Sequence, residues 1–173
     1  MKKLILSALL FPAFAFANSS SFLTLTVGEI SGPSENWDGS IYMEDVDGYA
    51  VSFSNVVDDK TLLGFTHLEA TGDVDGSISG VSAAYAFDSF STGSMYVGAG
   101  YTDSDLADDT STGYSIGYAK VSGNGTDYNL SATTVDGLVS YGVSVTSDSG
   151  LSFGITESNA TSIVQVGYRF ALN

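Results

Sequence analysis

Three sets of side chains in this sequence are of types that could do chemistry: paired acids, one histidine and one arginine. The acids fall as Asp45-Val-Asp47-Gly48, Asp73-Val-Asp75-Gly76 and Asp103-Ser-Asp105 followed by Asp108-Asp109. Carboxylate oxygens clustered on loops are the donors that hard cations such as Ca²⁺ and Mg²⁺ take. None of the clusters has the alternating acidic loop ending in glutamate that a dedicated calcium loop requires, and Asp-Gly pairs also serve tight turns. The expectation is diffuse Ca²⁺ or Mg²⁺ association around Asp73, Asp75, Asp103, Asp105, Asp108 and Asp109, with no defined metal site and no cofactor.

His67 is the only histidine, and an imidazole suits general-base work near neutral pH. Glu69, Asp73 and Ser77 are close to it in sequence. It nevertheless shares parity with Leu63 and Phe65, which predicts an outward or rim position, and no nucleophile motif accompanies it. No catalytic residue is assigned. Arg169 stands on the opposite parity to its apolar neighbours near the C-terminal end, where it would pair with a carboxylate, steer ions or serve assembly. Trp37, Tyr42 and Met43 lie together in a polar stretch and either pack over an opening or form an adhesive patch.

The elements that must position these residues follow from the rest of the chain. Met1-Lys2-Lys3, an apolar run from Leu4 to Phe16 and the small-residue pattern Ala15-Phe16-Ala17 before Asn18 make a Sec signal peptide over 1–17. The run is shorter than the ~20 apolar residues of a membrane helix. Residues 18–173 then form one domain. Removing Lys2 and Lys3 leaves Lys60, Lys120 and Arg169 against 20 acids and takes the net charge from −15 to −17. Nucleic acid is excluded as a partner, because the phosphate backbone calls for clustered Lys and Arg. There is no cysteine, so no disulfide or thiolate site is available.

After residue 17 the apolar period is two. Leu23, Leu25 and Val27 alternate with Thr24, Thr26 and Gly28; Met95, Val97, Ala99 and Tyr101 with Tyr96, Gly98 and Gly100; Val139, Tyr141, Val143 and Val145 with Ser140, Gly142 and Ser144. One face of each strand is large and apolar, the other Gly, Ser, Thr or Ala. A soluble β-sandwich would carry charged side chains on its water-facing side. Small uncharged residues suit a narrow lumen, and the large apolar face suits lipid with aromatic girdles.

The last strand puts Val164, Val166, Tyr168 and Phe170 on one parity and Ile163, Gln165, Gly167 and Arg169 on the other. The segment 164–170 resembles the C-terminal assembly signal of bacterial outer-membrane proteins. Together with the Gly-Tyr and Tyr96-Val-Gly-Ala-Gly-Tyr101 strand style, the chain is similar to the small OmpA/OmpX-like barrel superfamily. The resemblance implies an all-β, closed antiparallel transmembrane up-and-down barrel in the bacterial outer membrane, with outer-membrane lipid around it and the barrel-assembly machinery as a partner in biogenesis. Most such chains end on the aromatic residue, whereas Ala171-Leu172-Asn173 follow here.

Turn signals divide the chain into ten candidate strands, 22–30, 48–56, 61–70, 77–87, 94–102, 112–121, 127–135, 138–146, 150–157 and 161–171. Eight is the rival, reached by fusing strands around Asp136-Gly137 or 158–160, at the cost of good turn signals. With both chain ends periplasmic, the long connections 31–47 and 103–111 fall outside, as do 14 of the 20 acids, while Asp127 falls in a periplasmic turn. The reading is therefore a structural barrel or a narrow, passive, cation-preferring pore with an acidic mouth, in which Gln165 and Arg169 face the lumen. The alternative is recognition of a cell-surface ligand through 31–47 and 103–111; an outer-membrane lipid-modifying enzyme or protease built on His67 is a lesser one. A lumen blocked by Tyr96, Gln165 and Arg169 would favour an anchor over a pore.

Overall fold

The computed structural model describes residues 21–35, 41–71, 76–105, 109–121, 125–158 and 161–172. Their two-residue alternation folds as ten strands: β1 (Ser21–Glu35), β2 (Ile41–Val56), β3 (Thr61–Thr71), β4 (Gly76–Ala86), β5 (Ser94–Ser104), β6 (Asp109–Lys120), β7 (Asp127–Val135), β8 (Leu138–Thr146), β9 (Leu151–Ser158) and β10 (Ser162–Leu172). Each strand pairs antiparallel with its neighbours in sequence, and β1 also pairs with β10 in register from Ser21↔Leu172 to Ser31↔Ser162, which closes a barrel. The ten-strand reading holds and eight is excluded. At the β7–β8 turn, Asp136 has φ 50° and Gly137 φ 83°, the left-handed pair that a two-residue hairpin turn demands.

The barrel has a terminal end, where β1 begins, β10 stops and the connections 57–60, 87–93, 121–126 and 147–150 lie. The far end carries the other connections. Here the loop reading needs correction. The ladder between β1 and β2 continues to Glu35↔Ile41, although β10 stops pairing at Ser31 and β3 pairs only as far as Asp47↔Thr71. Most of 31–47 is thus a two-stranded hairpin projecting past the barrel wall. In the same way β5 runs to Ser104 and β6 starts at Asp109. Apolar alternation marks where a strand meets lipid; backbone pairing has no need of it and runs on through polar residues.

Parity sorts the side chains as expected. Facing out and exposed are Leu25, Val27, Phe53, Phe65, Val97, Ile116, Leu130, Val143, Phe153 and Val166, among others. Tyr49, Tyr101, Tyr114 and Tyr141 ring the far end of this belt, and Tyr85, Phe87, Tyr168 and Phe170 the terminal end. A continuous apolar exterior far exceeds the few hundred Å² that soluble monomers expose, and a closed ladder leaves no unpaired backbone edge in hydrocarbon. The exterior is a lipid-facing surface. Facing in are Thr24, Thr26, Ser52, Thr66, Ser115, Thr133, Ser144 and Thr156, all buried.

Candidate functional site

Among the described residues buried polar and charged side chains gather in the lumen, and an apolar cluster fills its terminal end. Phe22, Val56, Leu62, Ala86, Phe90, Tyr96, Ala119 and Val121 form an apolar cluster there. Seven of the eight stand on lumen parity of strands or just beyond strand ends. Phe90 is different: it belongs to the 87–93 connection, which folds inward and leaves its ring 1% exposed. Its N–H donates to the Asp59 carbonyl oxygen (2.9 Å), and its own carbonyl accepts from Val121 N–H (2.7 Å) and Gly93 N–H (3.3 Å). The Asp59 carboxylate accepts from the Ser89 hydroxyl, the Ser91 hydroxyl (3.0 Å) and the Ser91 N–H (3.3 Å).

Tyr96 lies across the lumen because residue 117 is glycine. A Cβ there would come within 2.7 Å of the Tyr96 ring and 2.3 Å of the Leu130 carbonyl oxygen. The phenol reaches β7, where its hydroxyl donates to Asn129 Oδ1 (3.0 Å). Beside it Arg169 Nη1 meets Asp127 Oδ2 at 2.7 Å, both side chains almost fully buried. The guanidinium also stands 5.0 Å from the centre of the Phe22 ring, a cation–π distance. A buried charge persists only when paired, and Asp127 supplies the partner.

Further along, Ser52 Oγ and Thr66 Oγ1 lie 3.0 Å apart in a hydroxyl-lined stretch. Leu68, Ala70, Ile78, Val135 and Ile163 are then buried on lumen parity in the far half. Gln165 lines a cavity of about 20 Å³ with Thr26, Ala50, Leu68 and Ile163, room for roughly one water. Arg169, Gln165 and Tyr96 stand on lumen parity, with Arg169 and Tyr96 buried. Asp127 corrects the sequence reading, since it is the first lumen-facing residue of β7 and not a turn acid.

The far rim is acidic and built of hydroxyl–carboxylate pairs. Tyr49 donates to Glu69, Ser77 to Asp105 (2.9 Å), Ser111 to Asp136 (2.6 Å) and Ser162 to Glu157 (3.0 Å). Glu29 directly opposes Asp47 across the β1–β2 ladder. All three basic residues of the described chain, Lys60, Lys120 and Arg169, are at the terminal end. Among the described residues no group of three or more histidine or acidic side chains is placed to hold a metal ion. Asp103 and Asp105 lie at the rim end of β5; Asp73, Asp75 and Asp108 fall outside the described residues, and of Asp109 only the backbone, in β6, is described.

His67 faces outward at the far boundary of the apolar belt, as its parity predicts. Its Nδ1 is 2.9 Å from Ser79 Oγ, across the β3–β4 ladder. Ser79 and not Ser77 is thus the hydroxyl beside it, and Asp103 is in register with Ser79 on the side away from His67. A Ser-His-acid relay needs the imidazole in the middle. Here the serine is in the middle, and the pair reads as two polar side chains satisfying each other at the edge of the belt.

Val164, Val166, Tyr168 and Phe170 all point outward on β10, the last two with ring centres 4.8 Å apart. Sequence reasoning missed Phe90, Asp127 and Ser79. Phe90 alone carried a signal, a lone aromatic in the otherwise polar connection Asp88-Ser-Phe-Ser-Thr-Gly93.

No protein-family model matches the chain, and no curated protein sequence does. Among solved structures it is similar to the crystal structure of Neisserial surface protein A, with 14% identity over 86% of this chain and 95% of that one and a TM-score of 0.36. At that distance no residue role passes from one protein to the other.

Proposed function

We propose that this chain is an exported outer-membrane barrel whose resting lumen is closed, so that its role is structural and not that of a standing pore. The observation that carries this is the filled terminal end, where the Phe90 and Tyr96 rings stand in a buried apolar cluster and the Asp127–Arg169 pair is almost fully buried. Small barrels are commonly filled by their own side chains in this way. Within this reading residues 1–17 direct export and are removed. The outward row Val164, Val166, Tyr168 and Phe170 is what the assembly machinery engages before it meets lipid. The purified barrel in planar bilayers is expected to give no ion conductance in neutral salt; sustained cation-selective steps from the unaltered chain would overturn the reading.

A second reading, surface recognition, is favoured by the projecting hairpin. Gly32–Glu35 pair with Ile41–Glu44 beyond the described pairing of either neighbouring strand, which carries the backbone ladder past the barrel wall. Loops on a rigid scaffold commonly carry recognition. Shortening the hairpin by deleting 32–44 should leave barrel assembly intact while abolishing attachment of cells to a ligand surface. Undiminished attachment removes this reading.

A further inference from the structure

Among the described residues, Lys120 is a cation left without an acid. Arg169 is paired with Asp127 in the lumen, and the Lys60 charge acts on Asp58 in its own turn. No described carboxylate forms an ion pair with Lys120, in a sequence of 20 acids against 5 basic residues. Lys120 closes β6 two residues after Tyr118, so both stand on the outer face of the strand, half-buried. Across the β6–β7 ladder it is in register with Tyr128. The Tyr118 and Tyr128 rings are stacked, 6.0 Å between centres and 15° from parallel. Their hydroxyls interact, and the Lys120 charge acts on the Tyr118 hydroxyl. Gly93 sets how Tyr118 leans: its φ is 95°, and a Cβ there would stand 2.5 Å from the phenol oxygen and 3.5 Å from Lys120 Cβ. Two phenols and one ammonium, all able to donate, thus converge at the terminal edge of the belt. Towards the middle of the belt the same face turns apolar, with Met95, Val97, Ile116 and Leu130 exposed. Met95 is in register with Tyr118, and Val97 with Ile116. The pair Tyr168 and Phe170 on the same ring differs, because the basic residue between them, Arg169, is buried in the lumen.

We propose that Lys120, Tyr118 and Tyr128 bind the phosphate of an anionic phospholipid in the leaflet at the terminal end, with its acyl chains along Met95, Ile116 and Leu130. This rests on the chain being a membrane barrel and is independent of whether its lumen is closed. A lysine ammonium pairs with phosphate as a point charge. Its apolar stem covers the wall while the charge reaches headgroup level. Tyrosines suit the same level, ring in the apolar layer and hydroxyl towards the headgroups. A headgroup that also carried an amine would set a second cation beside Lys120 with no described acid paired to either. The site therefore selects the phosphodiester whose net charge is negative.

Native mass spectrometry of the barrel in a neutral detergent, titrated with phosphatidylglycerol or phosphatidylethanolamine, measures the lipid retained. The parent chain should hold phosphatidylglycerol about fivefold more tightly, the scale of one lysine near an anionic headgroup. Lys120→Gln should bring the two lipids level, and Lys120→Arg should keep most of the preference. Lys60→Gln removes a charge from the same end outside the cluster and should leave the preference unchanged. Equal retention by the parent, an undiminished preference in Lys120→Gln, or an equal loss in Lys60→Gln overturns the site. Displacement of the lipid by millimolar inorganic phosphate would reveal a free-phosphate site and overturn the lipid assignment. A parent chain that takes up neither lipid and stays in solution without detergent overturns the membrane reading and the proposal together, whereas ion conductance by the parent strikes the closed-lumen reading alone.

Discussion

The two ends of this barrel are made by the same alternation and differ in what fills and finishes them. At the terminal end apolar rings and a buried ion pair close the lumen, and short turns grip one another through backbone and carboxylate contacts. At the far end strands overrun the belt, the described carboxylate bonds are to hydroxyls, and the β1–β2 ladder runs on past its neighbours. The terminal end is a packed core of the ordinary kind, and the far end is an acidic, exposed rim. Stability and surface chemistry are thereby separated along one axis, so each can change with little effect on the other.

The largest test of that separation is the buried pair. Asp127→Ala or Arg169→Ala strands a charge in the lumen and should cost about 3–5 kcal/mol, while replacing both together by apolar residues of similar size should recover most of it. Urea unfolding in lipid vesicles measures this; a single variant as stable as the parent would show that the pair is not desolvated. Next comes the 57–60 turn. Asp58 accepts from Thr61 N–H (2.6 Å) and Lys60 N–H (3.1 Å), and bonding to Thr61, through its side chain and then its backbone, holds the Asp58 carboxyl below its ordinary value. Its folded pKa is lowered, so the contribution is present above the unfolded value of about 3.9 and is lost as pH falls through the folded one. The melting difference between Asp58→Asn and the parent should hold at neutral pH and vanish in strong acid; a difference that persists there would locate the effect elsewhere. The smallest effect belongs to the far rim, where Ser77→Ala or Ser162→Ala should stay within about 0.5 kcal/mol. A rim substitution that destabilised as much as one at the ion pair would erase the contrast between the ends.

How much of this was legible in the sequence follows the same division. Period-two runs and the Asp136-Gly137 turn gave all ten strands, because lipid contact on one face writes itself into every second residue. The direction in which a turn folds leaves no such trace, so Phe90 was read as part of a polar connection. Asp127 and Arg169 are 42 positions apart and meet only because β7 through β10 pair in one particular register, and His67 meets Ser79 by the register of β3 on β4. At the far end, polar stretches that pair as strands look like loops, since nothing apolar marks them. Contacts that depend on register or on a turn's inward fold are where sequence reasoning stopped.

The seam between β1 and β10 has a temporal consequence. Residue 21 finds its partner at residue 172, so the first strand made must wait for the last. Bringing together ends that far apart carries a chain-entropy cost that local hairpins do not, and until it is met β1 keeps an open edge able to pair with foreign strands. A chain cut short within β10 therefore leaves the β1 edge without its partner, however well its other nine strands have formed.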